Sequence, residues 1–353
     1  EFQRRDLFLT QLLGEHDFKW FQVDWRGQHS ETERDRPDRS SYRYQRPFGS
    51  DRLPSFYADT GLERDFNEVN GQLDSGNGDV TIPLPDIGDF KWDLRGGGDI
   101  NVGSRDSNTR RFQFIPQNDV RLDRHVIEQI INDNKIRNDG SGVAFNEVTL
   151  ASDSYTADTD TRGYYIGGHM GFDEWIETDF GVRNTNANYE VITGGGTVGG
   201  FDREFWLPSV NVTGSITDEL QLRASYGQSV SYPRLVELAE TTFFNPDTGE
   251  QFIGNAELAP TEIDSYDLRL EFYPSSTENL NLGVFYKQLE NSIEQQFLPL
   301  ASGTSLTSFT NGQNGEILGN SLFNRAFANA APVGAAGVAT PAAAAGLPAG
   351  QQP

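Results

Sequence analysis

The side chains best suited to acid–base or metal chemistry are the four histidines, and they are scattered along the chain. They are His16, His29, His125 and His169. No HExxH pair places two of them on one helix face. His169 stands between Gly168 and Met170 in an alternating stretch, which is typical of a packed or lumen-lining histidine. The spacing therefore indicates neither a histidine metal site nor histidine-centred catalysis.

Other catalytic motifs are also missing from the sequence. The chain has no cysteine, which excludes thiol nucleophiles, disulfides and cysteine metal sites. The GGG runs at 96–98 and 194–196 open no helix, so they are interpreted as loop or bulge glycines. The 52 acidic residues produce carboxylate pairs by chance, and the oxygen-rich stretches 132–142 and 153–163 lack EF-hand spacing. The sequence predicts no enzyme, no cofactor and no metal site.

Charged residues instead alternate with apolar ones along predicted strands. In "YDLRLEFY", Leu268 and Leu270 fall on one side of a strand, and Asp267, Arg269 and Glu271 fall on the other. The same alternation recurs in 21–26, 90–95, 220–226 and 279–287. One oily face and one charged face fit two structures, a β-barrel in lipid or a soluble β-sandwich with an apolar core.

The elements that carry these faces are predicted to be antiparallel strands. Period-two patterns indicate roughly ten strands of the length that a tilted membrane strand needs. They are 7–13, 18–26, about 76–84, 89–102, 163–172, 175–183, 205–215, 220–227, 264–273 and 280–289. Short polar turns alternate with long loops at about 27–75, 103–162, 184–204 and 228–263. That rhythm is typical of a barrel with tight turns at one end and large loops at the other.

Composition limits the classes of protein that fit. Aromatic residues are 12% of the chain, and those near strand ends suit the interfacial girdle of a membrane barrel. The girdle candidates are Trp20, Trp25, Trp175, Trp206, Tyr226, Tyr266 and Tyr273. Mean hydropathy is −0.56 and no apolar run is long enough for a transmembrane helix, so a barrel is the remaining way to span a membrane. The net charge of −24 disfavours nucleic acid as a partner.

Several segments resemble the TonB-dependent outer-membrane receptors. "LPSVNVTGSITDELQLRASYGQSVSYPRLVEL", 207–238, resembles a strand, turn and strand of that family that lead into a Pro-containing loop. "GNAELAP", "SYDLRLEFY" and "LNLGVFYKQLENSI" resemble the segment that follows, while "IETDFGVRNTNANYEV" and "LFLTQLLGEHDFKWFQVDW" resemble earlier parts. The motifs occur in the family's order over most of residues 5–319. The resemblance implies an all-β fold, an antiparallel transmembrane β-barrel with short periplasmic turns and long extracellular loops.

The resemblance also implies a function, partners and a location. It implies a bacterial outer-membrane receptor that takes up a scarce nutrient, either siderophore-iron or an oligosaccharide. Uptake would be driven by a TonB-type energy-coupling protein that acts through a plug domain. Outer-membrane lipid and a small-molecule or oligosaccharide ligand are the other expected partners, and nucleic acid is not one.

Two sets of residues are expected to serve this function. The lumen-facing set, which would hold the plug or line the path, is Arg223, Asp267, Arg269, Glu271 and Lys287. Its alternative is a charge ladder between neighbouring strands. The set of loop aromatics that would stack on a sugar or siderophore is Tyr42, Tyr44, Phe48, Phe56, Tyr57, Phe243 and Phe244. Its alternative is packing within the loops themselves.

The chain departs from the family pattern in extent. The family barrel has 22 strands and about ten are predicted here, so residues 1–329 are expected to form a partial barrel. Residues 330–353, rich in Ala, Pro and Gly, are predicted to be a flexible tail or loop. The other hypothesis is a soluble or surface-attached β-sandwich adhesin that binds glycans. It requires Leu268, Leu270, Leu282 and Val284 to be buried between two sheets.

Overall fold

The structure is a computed structural model that describes residues 2–41, 44–45, 55–56, 62–117, 134, 136–137, 139–173, 175–245, 250–275, 278–299, 305–320 and 325–328. The predicted flexible tail at 330–353 lies outside these residues.

The described residues are almost entirely β-strand. The strands are β1 (Arg4–Phe18), β2 (Phe21–Ser41), β3 (Tyr44–Gln45), β4 (Ser55–Phe56), β5 (Leu62–Pro83), β6 (Phe90–Pro116), β7 (Val143–Glu147), β8 (Tyr155–Phe172), β9 (Ile176–Thr193), β10 (Val198–Thr217), β11 (Leu220–Ser231), β12 (Thr242–Asn245), β13 (Glu250–Ile253), β14 (Thr261–Ser275), β15 (Glu278–Glu290), β16 (Ile293–Pro299), β17 (Ser305–Asn311), β18 (Gly315–Asn320) and β19 (Arg325–Ala328). A 3-10 turn spans Ala151–Asp153, and a short helix, α1, spans Leu235–Leu238.

The main sheet has thirteen strands. Its order is β1-β2-β5-β6-β8-β9-β10-β11-β14-β15-β18-β19, with β7 paired to β6 beside β8, and its neighbours run antiparallel. The sheet is not closed into a barrel. Short connections join β1 to β2, β5 to β6, β8 to β9, β10 to β11 and β14 to β15 at one end, which we call the turn end. The opposite end, where long connections lie, is the loop end.

All ten predicted strands are present, and they extend further toward the loop end than predicted. The prediction of a long loop at 184–204 is wrong, because β9 and β10 continue to a tight turn at 194–197 in which Gly196 has φ +88. Polar residues face each other across this extension, as in the pair Asn188 and Asp202. The opposite face of this extension carries Val191, which is buried in the core, and Phe201, which packs against it. The hydrophobic alternation that marked the strands therefore reverses before the backbone pairing ends.

One face of the main sheet, the outer face, is apolar and exposed. Cross-strand pairing places Leu268 beside Val284 and Leu270 beside Leu282 on this face. Leu268 is 51% exposed, Leu282 41% and Val284 47%. These side chains do not lie between two stacked sheets, so the structure lacks the core that the soluble β-sandwich hypothesis requires.

Aromatic rows border the apolar band. Toward the loop end, Tyr266 lies between Tyr226 and Tyr286 on neighbouring strands, with ring centroids 4.9 and 6.0 Å away. At the turn end, Trp20 and Trp175 are 67% and 59% exposed. The outer-face segment of β10 from Trp206 to Ile216 matches the about 9–11 residues of a tilted membrane strand.

Tyr273 does not belong to the predicted girdle. Its hydroxyl donates to Glu271 Oε2 at 2.9 Å. Glu271 lies on the polar face of the sheet, opposite the apolar outer face, so Tyr273 lies on that polar face too.

The inner face is mostly polar and is crossed by hydrogen bonds between strands. Tyr165 of β8 donates from its hydroxyl to Asp79 of β5 at 2.7 Å, and Arg183 of β9 pairs with Asp99 of β6. The edge strand β1 is an exception, since Leu7, Leu9 and Leu13 also lie on the inner face.

A second, smaller sheet packs on the inner face near the loop end. It has the order β12-β13-β17-β16 and comes from the connections after β11 and β15. Its buried side chains and those of α1 meet Ala157 of β8 and Val191 of β9 in a common core. The buried core residues are Tyr155, Ala157, Val191, Leu238, Ala239, Phe252, Leu258 and Phe309. The segment that contains β12 and β13 was predicted to be a loop, because these strands are short and have no sustained alternation.

Candidate functional site

A cavity of about 560 Å³ opens on the inner face at the loop end. Its wall is formed by β2, β5 and β6, and Tyr155, Thr241 and Phe243 border it from β8 and the connection that contains α1 and β12. Most of the charged groups in the wall are guanidinium groups. Arginines of β2 and β6 face the cavity because side chains of a strand alternate between its two faces. They are Arg34, Arg36, Arg39, Arg105 and Arg111, and we call this space the arginine cavity.

Two of these arginines share one buried carboxylate. Arg36 Nη2 donates to Asp65 Oδ1 at 2.8 Å, and Arg39 Nη1 lies 3.4 Å from Asp65 Oδ2. Asp65 is 5% exposed and Arg39 is 8% exposed. A carboxylate that is this deeply buried is stabilised by paired cations, so this cluster is part of the folded wall.

A third arginine is held by the 3-10 turn. Arg111 Nε donates to Asp153 Oδ2 at 2.9 Å, and the backbone amide of Leu150 donates to the same oxygen at 2.7 Å. The Asp153 side chain is 1% exposed. Nearby, burial raises the pKa of the Glu63 carboxyl, although Arg111 and Arg39 act in the opposite direction.

The remaining two arginines have no carboxylate partner in the part of the chain that the structure describes. Arg34 Nη2 donates to the neutral amide oxygen of Asn67 at 2.7 Å. Burial lowers the pKa of Arg34, and the neighbouring Arg36 lowers it further. Arg105 lies across Gly71, where a Cβ would be 3.9 Å from Arg105 Nε. The absence of a side chain at Gly71 leaves room for that guanidinium.

The lumen-facing set lies on the inner face, with Arg223, Arg269 and Glu271 clustered nearer the turn end and Lys287 toward the loop end. Arg223 Nε donates to Glu271 Oε2 at 2.9 Å, and Arg269 Nη1 donates to Glu271 Oε1 at 3.1 Å. Glu271 is 4% exposed. The structure thus contains the charge ladder that was the alternative interpretation of these residues. Their role in holding a plug stays a prediction.

The other two members of the set make no ion pair among the described residues. Asp267 is exposed and lies beside Ser225 and Phe285, and Lys287 lies beside Ser265 and Ile317. Asp267, Arg223 and Arg269 line a cavity of about 610 Å³.

The predicted loop aromatics are only partly described by the structure. Tyr42, Phe48 and Tyr57 lie outside the described residues. Tyr44 of β3 and Phe56 of β4 are backbone partners in the strand register, and Phe244 lies in β12. Phe243 stacks on Phe252 and Phe309, with ring centroids 5.5 and 6.2 Å away. Phe243 therefore packs among the strands of the small sheet, and it also borders the arginine cavity.

Two groups of side chains could not be placed in a site from their sequence positions. The arginines of the cavity lie in segments assigned to loops, and their strand alternation, as at Arg34 and Arg36, was the available signal. An aromatic cluster also forms where Tyr232 contacts Tyr189 and Phe201, with centroids 5.3 and 5.9 Å away. Burial raises the pKa of Tyr232 to about 12. No sequence spacing relates residues so far apart in the chain.

Acidic and histidine side chains form no group of three suited to a metal ion within the described residues. His169 Nδ1 lies 3.0 Å from Asp179 Oδ1 on the inner face. No helix among the residues described here is both long and apolar enough to cross a membrane.

Comparison with solved structures shows the fold. The ferric-catecholate import receptor Fiu of E. coli K12 superposes with a TM-score of 0.58 and 11% identity over 90% of this chain and 44% of that one. The siderophore receptor PiuA of Acinetobacter baumannii superposes with a TM-score of 0.56 and 12% identity over 90% of this chain and 44% of that one. BauA, the ferric preacinetobactin receptor of the same species, superposes with a TM-score of 0.54 and 13% identity over 90% of this chain and 42% of that one. The chain therefore spans less than half the length of these receptors.

Comparison with curated proteins found no match. The family described as TonB dependent receptor-like, beta-barrel, matches residues 2–328, nearly the whole described chain. Proteins of this family are outer-membrane transporters. The chain belongs to the TonB-dependent receptor β-barrel family.

Proposed function

We propose that this chain forms part of the wall of an outer-membrane receptor that imports a scarce nutrient. The nutrient would bind at the loop end, on the extracellular side, and pass along the polar inner face. A TonB-type energy-coupling protein would drive this step through the plug domain of the whole protein. The chain has no catalytic role in this proposal.

The observation that carries the proposal is the difference between the two faces of the main sheet. The outer face exposes Leu268, Leu282 and Val284 between aromatic rows, as a lipid-facing surface does. The inner face carries charged side chains and the arginine cavity. An apolar outside with a polar inside suits a wall between lipid and an aqueous path.

Siderophore-bound iron is the favoured nutrient, and an oligosaccharide is the second candidate. Fiu and PiuA are described as a ferric-catecholate import receptor and a siderophore receptor, which supports iron chelates as the class. A volume of about 560 Å³ lies within the roughly 300–1,000 Å³ of small-molecule pockets.

Growth of a deletion strain tests the function. We expect the strain to lose growth on one ferric chelate or one oligosaccharide as sole source, and the intact gene to restore it. Uptake of the labelled nutrient should stop when the energy-coupling protein is deleted. Unchanged growth and uptake on every source would contradict the proposal, and so would binding without energised uptake.

A further inference from the structure

The arginine cavity differs in charge from the rest of the molecule. The chain has a net charge of −24. Among the cavity-lining residues on the inner face of the main sheet, however, the arginines outnumber the carboxylates, which are those of Glu63, Asp65 and Asp153. Asp6 and Glu33 also border it, but both pair with Arg4, at 2.9 and 2.7 Å. A local positive surplus in an acidic protein requires a cause other than composition.

The arginines divide into two groups by their partners. Arg36 and Arg39 bind Asp65, and Arg111 binds Asp153, so these three serve the folded wall. Arg34 and Arg105 contact no carboxylate among the residues that the structure describes. Arg34 is only partly exposed and its hydrogen bond goes to a neutral amide. A partly buried cation such as Arg34 is costly to the folded state unless a ligand supplies the anion, whereas Arg105 is exposed and directly accessible to a ligand.

Neighbouring side chains add neutral polar groups beside Arg34. Asn67 Nδ2 donates to Thr109 Oγ1 at 2.8 Å, which orients its amide oxygen toward Arg34. Thr32 and Ser107 add hydroxyl groups to the same wall. Guanidinium groups bind planar anionic oxygens in pairs, whereas a neutral sugar offers hydroxyls that need no uncompensated cation.

We infer that Arg34 and Arg105 receive the anionic oxygen groups of the ligand, so that the imported nutrient is a multiply charged chelate or carboxylate rather than a neutral oligosaccharide. This inference rests on the proposed function and names the substrate class of the same site. The two arginines determine specificity, and Arg36, Arg39 and Arg111 support the wall behind them.

Binding to the whole receptor in outer-membrane vesicles tests the inference. The probes are ferric citrate and ferric enterobactin as anionic chelates, with ferrichrome and maltoheptaose as neutral controls. We expect an anionic probe to bind most tightly, and Arg34→Gln and Arg105→Gln each to lower its affinity by about 10-fold to 100-fold, as loss of a charge-assisted hydrogen bond does. Arg34→Lys should retain part of the affinity.

The matched control is Arg110→Gln, which removes the same charge from an exposed arginine that pairs with Glu147 at 3.1 Å on the other side of β6. It should change affinity by less than about twofold. Resistance to trypsin and heat-modified gel mobility verify that each variant is folded. Raised salt should weaken the anionic probe more than the neutral ones.

The inference is overturned if no anionic probe binds saturably, if a neutral probe binds more tightly, or if folded Arg34→Gln and Arg105→Gln variants bind like the parent. Energised uptake of ferrichrome or maltoheptaose would overturn it and leave the proposed function standing. Binding of an anionic probe without energised uptake of any probe would contradict the proposed function and support the inference.

Discussion

At the scale of single residues, buried carboxylates decide which arginines are available to a ligand. Asp65 and Asp153 are 5% exposed each, and both bind arginine. Removing one of them would leave an arginine without its counter-ion inside the wall. These acids therefore contribute to stability, and they also leave Arg34 and Arg105, together with Arg5 of β1, as cations of the cavity that a ligand can reach.

Replacing Asp153 tests this stabilising role. Asp153→Ala should lower the free energy of unfolding by about 3 kcal/mol, because a buried ion pair loses one partner. Asp160→Ala, which removes the exposed pair with Arg162 at 2.7 Å, should cost less than about 1 kcal/mol. Urea unfolding of the whole receptor in lipid vesicles measures both values. Equal costs would show that Asp153 has no special role.

Glu63 predicts a pH dependence of binding. Its carboxyl faces Arg39, Arg111, Asp65 and Asp153, and burial raises its pKa above the ordinary 4.5. Lowering the pH from 7 toward 4.5 therefore removes a negative charge from the cavity and should favour an anionic ligand. Glu63→Gln fixes the neutral form, so it should bind ferric citrate about threefold to tenfold more tightly than the parent at pH 7.

The difference between parent and Glu63→Gln should shrink as the pH falls and vanish below the pKa of Glu63, where the parent side chain is also protonated. Comparing the two proteins at each pH cancels the titration of the probe itself. A variant that binds more weakly than the parent at pH 7 would contradict this prediction.

At the scale of elements, the small sheet and α1 turn part of two long connections into a packed layer on the inner face. Leu238 and Leu258 are each 1% exposed and share a core with Ala157 and Val191. Gly254 is required by this packing, since a Cβ there would collide with the carbonyl oxygen of Ala239. The layer borders the arginine cavity through Thr241 and Phe243.

Truncating Leu238 should loosen this layer without unfolding the main sheet. Leu238→Ala leaves a cavity that should lower the stability of the surrounding core by about 2–5 kcal/mol. That loss of stability is local to the core in which Leu238 packs. Hydrogen exchange should rise in 235–258 and 305–311 and stay unchanged in the apolar band of β10 and β11. Val198→Ala, at a position 59% exposed, is the control. If Leu238→Ala and the control Val198→Ala show the same hydrogen exchange in the layer, Leu238 does not stabilise that layer.

At the scale of the whole molecule, the outer face makes lipid the natural environment. Contiguous exposed apolar surface of this extent is unusual on a soluble protein. Cross-strand pairing forms one apolar row over four strands, made of Val212, Ala224, Leu268 and Val284, and a second row over three strands, made of Leu222, Leu270 and Leu282.

Neighbouring residues on opposite faces test this orientation. Leu268→Arg should destabilise the receptor in vesicles by about 2–4 kcal/mol, the cost of arginine on a lipid face near the midplane. Asp267→Arg puts the same side chain on the polar inner face and should cost less than about 1 kcal/mol. Folding into lipid vesicles under a urea titration provides the measurement. A larger cost at position 267 than at 268 would reverse the assignment of the faces.

The sequence by itself determined the strands, their faces and the family. Alternation at 266–273 is a local signal, because a strand places successive side chains on opposite faces whatever its neighbours are. The strand pairs also follow from chain order, since short turns bring consecutive strands together. The apolar outer face and the inner position of Arg223, Arg269 and Glu271 could therefore be predicted.

Only the tertiary structure decided where the strands end and which residues form the candidate site. β2 and β6 continue past their apolar parts through backbone pairing, which has no composition requirement, so Arg34 and Arg105 appeared to lie in loops. The partners of the arginines lie 26 to 42 positions away in the chain, as Arg39 and Asp65 or Arg111 and Asp153 show. Whether a cation is paired depends on such distant contacts and on burial, and neither is encoded in local spacing.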